Sequence, residues 1–172
     1  KRLFKRRLVT SIHAVYNLAP GSWLGRAFRW TLSASDVVLT LSNRSRAELI
    51  ALGLPEAQVK VCTYWVDQRK FRPIQATGHR KQMGWEGRFV VLFVGRLIAI
   101  KGIELLLKVA ERSDERFLFA FAGDGPMAVK IQEAASRLPN VCFLGRIDNR
   151  DLPRYYNAAD VMAVPSHYEE GF

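Results

Sequence analysis

Long apolar runs are missing from this sequence, since none approaches the roughly 20 residues that span a bilayer. Cysteine is scarce: the two thiols, Cys62 and Cys142, lie in apolar strand-like stretches, which favours buried, reduced thiols in a cytosolic protein over a disulfide framework. The basic start of the chain lacks a methionine and a cleavage-like small-residue site, so we expect a piece of a longer protein without a signal peptide. No cluster of side chains has metal-ligand spacing, and we predict no metal site.

Acidic residues are also in short supply. Asp and Glu number 16 against 26 Lys and Arg, giving a net charge of +10. Residues 1–42 hold seven of the basic side chains and one acid, Asp36. This asymmetry indicates an anionic partner near the N-terminal part, such as membrane lipid, a phosphorylated substrate or nucleic acid; a basic solubilising surface is the alternative.

Short apolar runs alternate with amphipathic ones along the chain. The runs lack polar alternation, as expected for parallel strands covered on both faces. The capping-box pattern Ser45-x-x-Glu48 predicts a helix that Gly53 closes, and further helices are predicted in KGIELLLKVAERS, PMAVKIQEAASRL and DLPRYYNAAD. This alternation predicts an α/β fold with a parallel sheet, and a long loop or linker over 69–87. The predicted strands are 8–12, 37–41, 59–64, 89–94, 117–122, 141–144 and 161–165.

Ligands of open α/β sheets bind beyond the carboxyl ends of the strands, so the loops after the strands are the candidate sites. In VGRLIAIKG (94–102), Arg96 follows a strand and Lys101 precedes a helix. A helix N-terminus attracts anions, and the two cations are close enough in sequence to bind one diphosphate.

The loop AGDGPM (122–127), extended to Ala128, matches G-x-G-x-x-A, with Asp148 about 20 residues further on. It keeps open a dinucleotide-binding interpretation, which we rank second. At least two strands precede the loop, and Pro126 removes an N–H that a pyrophosphate would need. A tight strand-to-helix turn explains both glycines.

Three further features are weak signals when taken singly. LGRIDN (144–149) offers a glycine that allows close approach to a flat ligand. Glu169 and Glu170 follow the last strand, where a carboxylate can accept hydrogen bonds from sugar hydroxyls. His13 follows the first strand. The four tryptophans show no stacking-platform spacing and are assigned to core or interface packing.

In this order, SIHAV, DVVLTLS, VKVCTYWVDQRKFRP, FVGRLIAIKG, AGDGP, VCFLGRI and AADVMAVPSHYEEGF resemble family 4 of the retaining, nucleotide-sugar-dependent glycosyltransferases. The resemblance covers almost the whole chain and is most specific over 93–172. It implies a GT-B architecture with two Rossmann-like parallel-sheet domains, both truncated here, and with the C-terminal donor-binding domain better represented.

The resemblance also implies roles for individual residues. Arg96 and Lys101 would bind the donor diphosphate after Gly95, and Glu170 would be the first glutamate of a Glu-x7-Glu motif that contacts the donor sugar. His13 would face the sugar from the N-terminal domain. Main-chain groups of two stretches would contact the donor: Gly145, Arg146 and Ile147 at the nucleobase, and Gly171 and Phe172 near Glu170.

The implied activity is transfer from a UDP- or GDP-type sugar to a saccharide or lipid-linked acceptor, with retention and no obligatory metal. The domain crossover is expected near Ser42, so that 1–42 would end the acceptor-side domain and 43–172 would begin the donor domain. We expect a cytoplasmic enzyme, peripheral on an anionic membrane through its basic N-terminal segment. Nucleic acid is not an expected partner; a DNA- or membrane-binding module without catalysis ranks third.

Overall fold

The computed structural model describes residues 6–13, 18–75 and 77–167. Their contacts form two compact units, one of residues up to 65 and one beginning at 66. The predicted boundary at 42/43 does not coincide with this division. The strands on either side of Ser42 pair with each other in one parallel sheet, which keeps them in the same unit.

In its described residues, the first unit has a three-stranded parallel sheet and two α-helices. The strand order is β1-β2-β3. Both crossovers run the same way along the sheet, and right-handed crossovers then place both helices on one face. The elements are β1 (Val9–Ile12), α1 (Trp23–Ser33), β2 (Val37–Thr40), α2 (Asn43–Ala51) and β3 (Val59–Val61).

Both helices of this unit begin at a serine. The Ser22 hydroxyl accepts a hydrogen bond from the Gly25 N–H, and the Ser42 hydroxyl accepts one from the Ser45 N–H. The predicted cap at Ser45 was therefore wrong by one turn, because Glu48 pairs with Arg44 instead of reaching back to the helix start. Helix α1 was not predicted, since exposed tryptophans obscure its apolar periodicity.

The second unit is a four-stranded parallel sheet in the order β6-β5-β4-β7. All seven predicted strands are present, each end within three residues of its predicted position. The elements are α3 (Thr77–Gln82), β4 (Phe89–Val94), α4 (Ile103–Arg112), β5 (Phe117–Ala122), α5 (Ala128–Arg137), β6 (Val141–Gly145), α6 (Leu152–Ala158) and β7 (Val161–Met162).

Successive side chains of β4 and β5 point to opposite faces of this sheet, and both faces are covered. Phe93 and Phe121 pack on one face with Leu107 of α4 and Ile131 of α5. Val90, Leu92, Leu118 and Ala120 pack on the other face with Trp85 and Ala158. Burial on both sides explains why these strands are apolar throughout, as predicted for a parallel sheet.

The predicted loop over 69–87 is wrong in part, because α3 lies inside it. Six residues are too few for a readable apolar period. The helix is fixed by Arg80, whose guanidinium donates to the carbonyls of Ala158 (2.8 Å) and Arg88 (2.6 Å) and to Asp160 Oδ2 (3.1 Å).

The tryptophan and cysteine predictions hold in part. Trp85 is buried at 2% exposure, whereas Trp23, Trp30 and Trp65 are 70%, 79% and 91% exposed. Both cysteines are free thiols, but Cys62 is exposed and Cys142 is half-buried.

Among the described residues, no helix combines the length and the apolar character that crossing a membrane requires.

Candidate functional site

The candidate site lies where the strand order of the second unit reverses. Strand β4 has β5 on one side and β7 on the other, because the chain runs outward from β4 through β5 to β6 and then crosses back to the far side of β4. Ligands of open α/β sheets bind in the crevice beyond the carboxyl ends of the strands at such a point. The residue that follows the end of β4 by two positions is Arg96.

The loops after β4, β5 and β6 border an open pocket of about 260 Å³. Four predicted residues line it: Gly95 and Arg96 from the first loop, and Arg146 and Ile147 from the third. The structure therefore brings together residues 50 positions apart in sequence. Asp124, from the second loop, lines the same pocket and was not predicted.

Backbone hydrogen bonds join the three loops. The Gly95 N–H donates to the Ala122 carbonyl (3.0 Å), and the Leu97 N–H donates to the Asp124 carbonyl (2.8 Å). On the other side, the Gly123 N–H donates to the Gly145 carbonyl (2.8 Å). These main-chain bonds fix the backbone position of Arg96. The Arg96 side chain takes no part in them.

The two glycines of AGDGPM have a packing function. A β-carbon on Gly123 would lie 1.9 Å from the Gly95 carbonyl oxygen, and one on Gly125 would lie 2.6 Å from that of Leu97. Both glycines also have φ values that side chains rarely adopt, 144° and 148°. The tight-turn interpretation is thus correct, and the turn additionally supports the loop that carries Arg96.

Two arginines and one acidic residue line the pocket: Arg96, Arg146 and Asp124. The Asp124 carboxylate accepts a hydrogen bond from the Gly125 N–H (2.7 Å), which turns it back onto its own loop. Just beyond the pocket, the Arg150 backbone N–H and then its side chain hold the pKa of Asp148 below its usual range, with smaller contributions from Lys70 and Arg146. Arg96 and Arg146 give the pocket the donors that bind phosphate oxygens.

Lys101 lies next to the pocket's first loop but does not line the pocket. It ends a short 3-10 turn (Ala99–Lys101), and left-handed Gly102 (φ 74°) starts α4 directly after it. The segment after β7 packs here: the His167 N–H donates to the Ile100 carbonyl (2.8 Å), and Pro165 contacts Gly102. The chain that leads to Glu170 therefore passes beside the turn that holds Lys101.

Glu170, Gly171 and Phe172, together with Glu169, lie outside the described residues.

His13 lies at the end of β1 in the first unit. Its Nδ1 is 2.5 Å from the Tyr64 hydroxyl, and the two rings stack with centroids 5.5 Å apart. Tyr64 was not predicted as a partner. The strand pattern could have indicated this pair. Strands β1 and β3 flank β2 in a parallel sheet, so the residues that follow them lie at the same end of the sheet.

A larger pocket of about 320 Å³ lies in the first unit and does not suit a diphosphate. Its lining is mainly apolar, including Ile12, Phe28 and Leu49, and its one charged lining residue is the acid Glu48. Within the described ranges, no group of three or more His, Cys, Asp and Glu side chains could hold a metal ion.

Comparison with curated proteins gives partial matches. The chain is 31% identical to the 2-deoxystreptamine glucosyltransferase of Streptomyces kanamyceticus, over 83% of this chain and 40% of that protein. It is 33% identical to the GDP-mannose-dependent alpha-mannosyltransferase of Corynebacterium glutamicum, over 60% of this chain and 24% of that protein. The chain thus spans less than half the length of these relatives.

Among solved structures, Anabaena HepE in complex with UDP is similar to 96% of this chain over 48% of its own, with a TM-score of 0.79 and 23% identity. This likeness confirms the predicted α/β fold with parallel, Rossmann-like sheets. Residues 76–172 match the family described as glycosyl transferases group 1. Since the match extends over more than half of the chain, the protein belongs to the glycosyl transferases group 1 family.

Proposed function

We propose that the full-length protein transfers a hexose from a nucleoside diphosphate sugar to an acceptor hydroxyl, with retention of the anomeric configuration, as a family 4 enzyme. The carrying observation is the pocket at the strand-order reversal, where Arg96 and Arg146 line one cavity of about 260 Å³. Its position after β4 and its two guanidinium groups fit the diphosphate of such a donor.

Arg96 and Lys101 have distinct parts in this proposal. When the bond between the anomeric carbon and the diphosphate oxygen breaks, negative charge grows on the leaving diphosphate. A guanidinium and an ammonium held at the end of β4 and the start of α4 stabilise that charge, and the N-terminus of α4 adds a partial positive charge. As the acceptor oxygen bonds to the anomeric carbon, the hydroxyl proton passes to an oxygen of the departing diphosphate.

The remaining predicted residues complete the donor site. Glu170 accepts hydrogen bonds from the donor sugar hydroxyls, and the Gly171 and Phe172 main chain lies against the donor. The main chain of Gly145, Arg146 and Ile147 borders the nucleobase. His13 faces the sugar from the N-terminal domain.

The base and the acceptor are proposed as classes. A solved relative is in complex with UDP, and a curated relative is named as GDP-mannose-dependent, so both UDP and GDP donors fit the family. A saccharide or a lipid-linked molecule supplies the acceptor hydroxyl.

The family match favours this function over a nicotinamide-dependent oxidoreductase or a nucleic-acid-binding module. A cytoplasmic location stays a prediction.

Calorimetric titration of the full-length protein with UDP, GDP and NAD tests the donor class. We expect one of the nucleoside diphosphates to bind and NAD not to bind. Arg96→Ala should weaken nucleotide binding about tenfold or more, since a charge-assisted hydrogen bond contributes about 1.5–3 kcal/mol. With the cognate donor, kcat should fall about 100-fold or more in Arg96→Ala and Lys101→Ala.

Arg116→Ala is the matched control. This exposed arginine directly precedes β5, at the amino ends of the strands and away from the pocket, and it pairs with Asp114. It should bind nucleotide like the wild type. Unchanged affinity and turnover in Arg96→Ala would remove the assignment of the diphosphate site. An inverted anomeric configuration in the product, read by proton NMR, would disprove retention alone.

A further inference from the structure

Helix α1 presents its bulkiest apolar side chains to solvent. Gly25 and Leu32 are buried and Phe28 is half-buried, so these positions define the face that packs on the unit's core. Trp23 and Trp30 are 70% and 79% exposed and point away from that face. They are seven residues apart, which places them about 10 Å apart along one side of the helix.

The surroundings of these tryptophans are basic. Helix α1 contains Arg26 and Arg29 and no acidic residue. Residues 1–65 as a whole contain ten basic and three acidic side chains. Two of the three acids are paired with arginines of α2, Glu48 with Arg44 and Glu56 with Arg46.

The third acid, Asp36, is also engaged. Its carboxylate accepts a hydrogen bond from the Leu8 N–H at 2.6 Å. None of these carboxylates is part of α1, and the outward face of the helix therefore keeps its positive charge.

The position of α1 in the sheet also matters. A helix that covers a parallel sheet turns its outer face away from the strands. The side of α1 that carries Trp23 and Trp30 lies opposite the buried Gly25 and Leu32, and it therefore faces away from the sheet.

We propose that the outer face of α1 (Trp23, Arg26, Ala27 and Trp30) docks on the surface of an anionic lipid bilayer. Tryptophan is enriched at membrane–water interfaces because its ring combines an apolar body with a polar N–H. A helix with a basic flank and exposed tryptophans lies in the interface plane, held by apolar burial and by attraction to anionic headgroups. The positive charge of this face favours an anionic lipid surface over a protein partner that is poor in acidic residues. This proposal does not depend on the proposed function.

Co-sedimentation of the protein in its full natural length with lipid vesicles tests the proposal. Vesicles of phosphatidylcholine alone are compared with vesicles of equal parts phosphatidylcholine and phosphatidylglycerol. We expect binding to the anionic vesicles, weakened at high salt, and a blue shift of tryptophan emission. The Trp23→Ser/Trp30→Ser double variant should bind at least tenfold more weakly, and Arg26→Gln should weaken binding to anionic vesicles only.

Trp65→Ser is the matched control, because Trp65 is 91% exposed in the same unit but lies outside α1. It should bind vesicles like the wild type. Circular dichroism spectra and melting temperatures equal to those of the wild type would show that the double variant is folded.

Several results would overturn the proposal. Failure of the wild type to bind anionic vesicles, or equal binding by the double variant, is sufficient. Protection of Trp23 and Trp30 from iodide quenching without vesicles would show that another part of the protein covers them. A dimer abolished by the double variant would assign the face to a second copy of the chain, and DNA binding lost in that variant would assign it to nucleic acid.

Discussion

The carbonyl oxygen of Gly95 lies where a side chain on Gly123 would begin: a β-carbon there would be 1.9 Å from that oxygen. The close approach joins the loop after β4 to the loop after β5. Because Arg96 directly follows Gly95, the absence of a side chain at Gly123 allows the backbone position from which the Arg96 guanidinium extends.

Gly123→Ala should therefore impair nucleotide binding through Arg96. The methyl group cannot be accommodated without moving the backbone of one loop, and the left-handed φ adds strain. We expect the free energy of unfolding to fall by about 2–4 kcal/mol and nucleotide affinity to fall about tenfold. Calorimetry and urea denaturation measure the two effects.

Gly87→Ala is its control, since Gly87 has a positive φ of 71° but nothing within 4 Å of its β-carbon position. It should show the backbone strain, about 1–2 kcal/mol, and unchanged nucleotide affinity. Equal affinity in the Gly123 and Gly87 variants would contradict the proposed coupling.

Arg80 should be a main stabiliser of α3, because it joins this helix to two partners about 80 residues further along the chain and to one nearby. Its guanidinium donates to the carbonyls of Ala158 and Arg88 and pairs with Asp160, and a lysine cannot reach all three. We expect Arg80→Lys to lower the free energy of unfolding by about 2 kcal/mol, because carbonyls are left without donors.

Arg116→Lys, in a pair with Asp114 that is largely exposed, should change the free energy of unfolding by less than about 0.5 kcal/mol. Urea denaturation of both variants makes the comparison. A similar small loss in both would show that the bonds of Arg80 contribute little.

The fold was predictable because the apolar runs report burial directly. Val90 and Val91 face opposite sides of the sheet and both sides are packed, so β4 has no polar alternation and reads as a parallel strand. Helix α4 was equally clear, with Ile103, Leu106, Leu107 and Ala110 all buried as predicted. Helices α1 and α3 were not predicted, because one exposes tryptophans and the other, with six residues, is too short to show an apolar period.

The candidate site was predictable where strand ends carry charged or glycine residues. Arg96 and Arg146 line one pocket, whereas Lys101, which the resemblance pairs with Arg96 at the diphosphate, lies beside it. The contribution of Asp124 was hidden, because its carbonyl oxygen makes the contact to Leu97 and a sequence does not show which backbone groups meet. The roles of Glu170 and His13 stay predictions.

Cys142 should react more slowly with alkylating agents than Cys62. Burial raises the pKa of the Cys142 thiol above its usual range, partly offset by the nearby charge of Arg88, so little thiolate is present near neutral pH. In the unfolded chain the thiol ionises first, and the folded state therefore loses stability as the pH rises above about 8.5.

Iodoacetamide labelling followed by peptide mass spectrometry measures both rates. We expect Cys142 to lag behind exposed Cys62 at pH 8, and the difference to vanish in denaturant. Equal labelling rates in the folded protein would show that Cys142 is more accessible than its half-buried position indicates.

Gly102→Ala should separate α4 from the segment after β7. Gly102 has a φ of 74°, and a β-carbon there would lie 2.1 Å from the Pro165 carbonyl oxygen. Strain of about 1–2 kcal/mol comes from the φ alone, and the clash should raise the total loss of unfolding free energy to about 3–4 kcal/mol.

Gly84→Ala is the control, since Gly84 has a similar φ of 65° and open space around its β-carbon position, so this variant measures the effect of φ alone. Urea denaturation of the two variants gives the difference, and hydrogen exchange at the His167 amide should rise in Gly102→Ala because its bond to Ile100 loosens. Equal destabilisation by both substitutions, with His167 still protected, would mean that the segment after β7 yields to the methyl group and that its packing does not fix the turn holding Lys101.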